Sequence, residues 1–240
     1  MKKWEGYAIL CDMDGVIISI KERWIKPFEK ALRKVKQDID EHALKEQAPS
    51  LLLTHGGRSK KIWLRAIFKV CSYAGLSKFQ SLRVIINIGL MLLKPKNFKI
   101  VPFDEVEQTL QNLKDLGFKL ALVTTASNFT IRRLKKLYPE IHSKYDFIFT
   151  RNDVKFTKPF PDQLNLAIKK LGVERNKCVM IGDLMTDILA GKNAGVKTVA
   201  ILSEYPFITE ALLSSVEPDH IIESFSLLPD YLNDIFKLNN

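Results

Sequence analysis

Two carboxylates two residues apart, in Cys11-Asp12-Met13-Asp14-Gly15-Val16, are the residues of this chain best placed to do chemistry. They follow the apolar run Tyr7-Ala8-Ile9-Leu10, which reads as a buried strand, and Gly15 supplies a tight turn after it. On a straight strand Asp12 and Asp14 share one face. Held together they repel, and a hard divalent cation, which takes oxygen ligands, relieves that repulsion. One carboxylate can then attack an electrophile while the other moves a proton. Asp-x-Asp-Gly is also a common polar turn, so the pair by itself leaves both readings open.

Three later segments put more chemistry just beyond apolar runs. Leu120-Ala121-Leu122-Val123 ends in the hydroxyls of Thr124 and Thr125. Lys158-Pro159-Phe160-Pro161-Asp162 holds a lysine in a stiff, proline-framed loop. Val179-Met180-Ile181-Gly182 ends in Asp183, with Asp187 one helical turn further on. Ligands of parallel sheets bind at such strand ends. Thr124 alone reads as an ordinary strand-end threonine, and Lys158 alone as a surface lysine; the ordered pattern is what makes both candidates.

In this order, DxDGV, strand-Thr, KPxPD and GDxxxD resemble the haloacid dehalogenase superfamily, over about residues 7–232 apart from the stretch between the first two motifs. The resemblance implies a doubly wound parallel-sheet α/β core with an inserted helical cap. It implies that Asp12 is a nucleophile forming an aspartyl-phosphate and that Asp14 is the acid/base. Thr124, Thr125 and Lys158 then bind the phosphoryl group. Asp12, the backbone carbonyl of Asp14, Asp183 and Asp187 surround a metal. Mg²⁺ is the expected ion, because it works with few carboxylates, substrate oxygen and water. The expected activity is a phosphatase for a small phosphorylated metabolite, such as phosphoglycolate or a sugar phosphate. Pyrophosphate hydrolysis and sugar-phosphate mutation are the alternatives within the family.

The departures from the family pattern also inform. Asp14 argues against the dehalogenase and phosphonatase branches, which lack an acid there. Trp24 stands where the mutase has a histidine, Ser19 where many relatives have Asp, and Thr125 where phosphatases often carry Asn.

Around these motifs the 240 residues read as a globular chain, 46% apolar and 27% charged. After residue 103 short strands are expected at 118–123, 147–150, 179–181, 198–202 and, at an edge, 219–222. Helices are expected at 106–116, 129–137, 163–171, 187–194 and 227–236, with Gly117, Gly172 and Gly195 as C-caps. Alternation of this kind implies a parallel sheet covered on both faces. The core is therefore expected to comprise residues 1–18 and 100–240. Residues 19–99 read instead as a helical insert, with helical patterns at 21–45, 60–74 and 77–93. In it, Gly57 and Arg58 belong to a glycine turn that reads either as a basic surface turn or, as the resemblance to related caps implies, as a substrate-reading loop in which Arg grips a second anionic group bidentately.

The net charge of +10 is concentrated in this insert, which has 18 Lys/Arg against 6 Asp/Glu. Residues 47–103 contain no acid and ten bases. Such a block is a solvated face or a surface for an anionic ligand, a nucleic acid or a membrane. A nucleic-acid-binding protein is accordingly the alternative from another class. Residues 84–93 are apolar but too short to span a bilayer, and read as cap core. No secretory signal is read at Met1, and three cysteines without metal-ligand spacing fit a reducing cytoplasm.

Overall fold

The structure, a computed structural model, describes residues 2–39, 60–202 and 204–237. Six strands form one parallel sheet: β1 (Ala8–Cys11), β2 (Lys119–Val123), β3 (Phe147–Phe149), β4 (Cys178–Gly182), β5 (Lys197–Ile201) and β6 (His220–Ile222). Their order is β3-β2-β1-β4-β5-β6. Every neighbouring pair is parallel.

The central strands β1 and β4 carry no polar side chain and are buried throughout, because both sheet faces are covered. Ile9, Cys11, Leu120, Leu122, Val179 and Ile181 join one hydrophobic cluster. Their alternate neighbours Ala8, Leu10, Ala121, Val123, Cys178 and Met180 join another on the opposite face.

Between β1 and β2 lie a short π-helical turn, Lys21–Ile25, then α1 (Lys26–Arg33), α2 (Lys60–Tyr73) and α3 (Lys78–Leu92). These helices bury their own cluster, including Phe28, Leu32, Ile67, Val70, Val84 and Ile88. Ser77 begins α3 with a reciprocal capping box to Gln80. The chain enters and leaves the insert side by side: Ser19 N donates to Val101 O (2.8 Å) and Phe103 N to Ile17 O (3.1 Å).

The remaining helices are α4 (Val106–Leu116), α5 (Asn128–Leu137), α6 (Pro139–Ser143), α7 (Asp162–Leu171), α8 (Met185–Ala194), α9 (Pro206–Ser214) and α10 (Leu228–Phe236). α4 and α10 supply Leu110, Leu113, Leu228 and Leu232 to one sheet face. α7 and α8 supply Leu164, Ala167, Ala190 and Ala194 to the other. α4, α7 and α8 end at Gly117, Gly172 and Gly195, as expected.

Three elements differ from the sequence reading. Helix α1 stops at Arg33 and does not run on to residue 39. Helices α6 and α9 were not expected; each begins with a proline in its first turn, which pre-sets helical φ. Residues 84–93 are only half core: Val84, Ile88 and Met91 are buried, but Ile86, Leu90, Leu92 and Leu93 are exposed.

Candidate active site

The site lies where the strand order reverses, at the C-terminal ends of β1 and β4. The register puts Cys11 opposite both Leu122 and Ile181. Asp12, Thr124 and Asp183 therefore leave the sheet along one edge. Each strand delivers its chemical residue immediately after its last buried apolar one.

Lys158 is almost fully buried and ties the site together. Its Nζ donates to Asp12 Oδ1 (2.6 Å) and Val123 O (3.0 Å), and lies 2.5 Å from Asp187 Oδ1. Burial opposes its charge, but the attraction of Asp12 and Asp187 outweighs burial and holds its pKa above the ordinary lysine value. Asp187 sits in the first turn of α8, where Leu184 N donates to its Oδ2 (3.1 Å). Burial is the largest influence on Asp187 and lifts its pKa to about 6, with Lys158 opposing the rise. Thr124 is buried beyond β2; its Oγ1 accepts from Ala126 N (3.1 Å), which leaves the hydroxyl proton to donate.

Asp183 is 2% exposed, and neither of its carboxylate oxygens has a hydrogen-bond partner among the described residues. Burial, then the charges of Asp187, Asp12 and Asp14, push its pKa well above the usual carboxylate range. An uncompensated buried carboxylate is costly. Oxygens of Asp12, Asp183 and Asp187 lie within 4.8 Å of one another. With all four acids ionised, Asp12, Asp14, Asp183 and Asp187 would carry two more charges than Lys158 and Arg23 offset, and burial with this mutual repulsion is what raises the Asp183 pKa. Hard oxygen donors with that imbalance fit a divalent ion such as Mg²⁺. Gly15 makes room: its φ is +81°, and a Cβ there would lie 1.9 Å from Asp183 Oδ2.

Asp14 turns away from this group, towards the insert. Arg23 Nε lies 2.9 Å from Asp14 Oδ1. The contact is off the N–H axis, so it is a charge pair rather than an aligned hydrogen bond. Burial is the largest influence on Asp14 and raises its pKa; Arg23 opposes the rise. Arg23 is itself buried and donates from Nη2 to Thr130 Oγ1 (3.3 Å).

A cavity of about 550 Å³ opens between insert and core. Asp12, Asp14, Arg23 and Thr125 contribute to its polar lining, with Arg133 and Arg151. Trp24, Phe28, Ile88, Met91, Phe98 and Phe129 make much of the apolar wall. Lys158, Asp183 and Asp187 are buried and do not line it.

Seven expected site residues thus converge: Asp12, Asp14, Thr124, Thr125, Lys158, Asp183 and Asp187. Gly57 and Arg58, the expected substrate-reading pair, lie outside the described residues. Sequence reasoning missed Arg23, Thr130, Arg133 and Arg151. It also missed Glu204, whose Oε1 accepts from Ser19 Oγ (2.7 Å) and Oε2 from Lys21 N (2.9 Å). Ser19, where relatives often have Asp, accepts from Glu22 N (3.0 Å) and so caps the first turn of the insert.

The sequence model of the haloacid dehalogenase-like hydrolases matches residues 8–195. The chain belongs to that family, and the family is one of hydrolases. Among curated relatives, it is 35% identical over 127 residues to Pyrophosphatase PpaX of Bacillus velezensis, covering 53% of this chain and 57% of the relative. It is 36% identical over 134 residues to Pyrophosphatase PpaX of Halalkalibacterium halodurans, covering 56% and 60%. The match therefore spans less than two thirds of these relatives' length.

Among solved structures, a predicted phosphoglycolate phosphatase from Haemophilus somnus superposes with a TM-score of 0.71 at 19% identity, covering 95% of this chain and 98% of that one. A HAD family hydrolase from Deinococcus radiodurans with bound phosphate and sodium has a TM-score of 0.70 at 18% identity, covering 95% of each chain. At these identities the likeness is one of fold.

Proposed function

We propose that this protein is a Mg²⁺-dependent phosphatase acting on a small phosphomonoester, with residues 19–99 as a cap over a core formed by residues 1–18 and 100–240. The observation that carries the reading is Asp183: a buried carboxylate with both oxygens unpartnered among the described residues, grouped with Asp12, which is paired to Lys158 and lines the cavity.

Lys158 engages Oδ1 of Asp12, which leaves Oδ2 as the attacking oxygen. Attack on phosphorus forms the aspartyl-phosphate and breaks the bond to the leaving oxygen. Asp14 gives that oxygen its proton, then takes one from the water that hydrolyses the intermediate. Thr124, Thr125 and Lys158 bind the phosphoryl oxygens. Asp12, the Asp14 carbonyl, Asp183 and Asp187 would hold Mg²⁺, which would neutralise charge on those oxygens.

The cavity favours a monoester whose leaving group has an apolar body. Its volume exceeds what phosphoglycolate needs, and its wall is mainly aromatic and aliphatic. Pyrophosphate hydrolysis is the second reading. It is favoured by the PpaX relatives, and Arg133 and Arg151 offer charge for a second phosphate. Phosphate release from a panel of phosphomonoesters and from pyrophosphate, with Mg²⁺ and with chelator, tests both. Fastest Mg²⁺-dependent release from a monoester supports the first reading, and preference for pyrophosphate supports the second. Turnover undiminished by the chelator or by Asp12→Asn overturns both.

A further inference from the structure

Helix α3 has two apolar faces, and among the described residues only one joins the insert's buried cluster. Val84, Ile88 and Met91 point into the insert's core. On the opposite side Phe79, Leu82, Ile86, Leu90 and Leu93 recur at spacings of three and four residues, which places them in one stripe. Phe79 is 72% and Leu93 77% exposed, and the three between them are about half exposed. Five large apolar side chains in one exposed line are unusual on a water-facing helix. The exposed bases Lys78, Arg83, Lys94 and Lys96 lie along the same helix and just beyond its end. No acid occurs from residue 47 to residue 103.

We propose that this face docks on an anionic lipid surface, with the stripe of α3 seated at the headgroup–acyl boundary and the basic side chains on the lipid phosphates. The reading goes beyond the hydrolase assignment and does not depend on it. Charge complementarity selects the occupant. A second copy of the chain would bring a second insert with a net charge of +12 against the first. A nucleic acid would pair with the bases but leave the apolar stripe in water. An anionic bilayer takes both: apolar burial adds to electrostatic attraction in helices of this kind. Among the described residues no helix is long and apolar enough to cross a membrane, so the contact is one of lying on the surface. The same helix walls the cavity with Ile88, Met91 and Leu92. Docking therefore holds that cavity about one helix diameter, roughly 10 Å, from the lipid.

Co-sedimentation of the full chain with phosphatidylcholine vesicles, and with vesicles that also contain phosphatidylglycerol, tests this. Binding to the anionic vesicles should be at least about tenfold tighter than to the neutral ones. Ile86→Glu with Leu90→Glu should remove that binding by a similar factor while leaving thermal unfolding and hydrolysis of a soluble aryl phosphate unchanged. Lys78→Glu with Arg83→Glu, which keeps the stripe, should weaken binding and flatten its salt dependence. The idea fails if the wild type ignores anionic vesicles, or if the Ile86/Leu90 variant binds as the wild type does. It also fails if that variant merely converts a dimer to a monomer, or if duplex DNA competes away the vesicles and binds the variant undiminished.

Discussion

Arg23 Nε stands 2.9 Å from Asp14 Oδ1, so the first turn of the insert reaches the carboxylate proposed to move protons in the core. The pair is largely buried, with 6% and 18% of the two side chains exposed. Removing one partner of such a pair leaves the other charge uncompensated. Arg23→Met should destabilise the protein by about 3 kcal/mol, the low end expected for a broken buried pair. In the Asp14→Asn background the same substitution should cost far less, because no carboxylate is left to strand. Chemical denaturation of the four proteins of this cycle measures the coupling; additive losses would mean that the two side chains do not interact.

Asp12→Asn should leave the fold intact and reduce kcat to background, because an amide is neither a nucleophile nor an anionic metal ligand. Asp14→Asn should lower kcat by roughly 10²–10⁴-fold, the usual worth of a positioned proton-transfer group. Steady-state rates on one good monoester, with circular dichroism as the check on folding, decide both. A folded Asp12→Asn protein with wild-type kcat would remove Asp12 from the nucleophile's place.

The core chemistry was legible in sequence because a parallel sheet sends its strand ends to one edge. Asp12, Thr124 and Asp183 each follow an apolar run, so local pattern and order were enough to group them. Arg23 was not legible for the opposite reason. It sits among Lys21, Lys26 and Lys30, where a charged helical run reads as a solvated face, and only the fold-back of the insert brings it to Asp14. Its neighbour Trp24 departs from the mutase pattern, and that departure is the available signal. Arg133 and Arg151 reach the cavity from beyond β2 and β3, a convergence that sequence spacing does not encode. The apolar stripe of α3 was hidden because periodicity shows which residues share a face, not whether that face is covered.

Away from the site, Asp219 joins β5 to the start of β6. Thr198 N and Oγ1 both donate to its Oδ2 (2.9 Å each), and Lys197 Nζ lies 3.2 Å from Oδ1. Burial would raise its pKa, but these hydrogen bonds and the Lys197 charge outweigh burial and hold it below the ordinary carboxylate value. A carboxylate with a depressed folded pKa stabilises the protein above its unfolded pKa. That contribution is lost as the pH falls through the folded pKa. Asp219→Asn should therefore lower Tm at pH 7, and the difference from wild type should shrink as the pH drops below about 4. A difference that stays constant down to pH 2 would mean that the charge on Asp219 contributes nothing.

The unpartnered carboxylate of Asp183 makes a prediction that can be read without any substrate. In chelator it is a buried acid with no hydrogen-bond donor among the described residues, and it stands beside three others. Asp183→Asn removes that repulsion and keeps the shape, so it should raise the stability of the chelated protein, by about 1–3 kcal/mol. Mg²⁺ should stabilise the wild type as any ligand of the folded state does, by about 2.7 kcal/mol at a hundred times its Kd. The Asn variant should lose most of that shift, because it lacks the anionic ligand. Gly15→Ala probes the same pocket without touching a charge. Its Cβ would fall 1.9 Å from Asp183 Oδ2, and φ of +81° strains any side chain there. Asp183 must then move, and the Mg²⁺ shift should shrink although all four acids remain. Melting curves of the three proteins, with chelator and across a Mg²⁺ titration, test the site directly. If Asp183→Asn is the less stable protein in chelator and still gains as much from Mg²⁺ as the wild type, Asp183 is a structural acid and not a metal ligand.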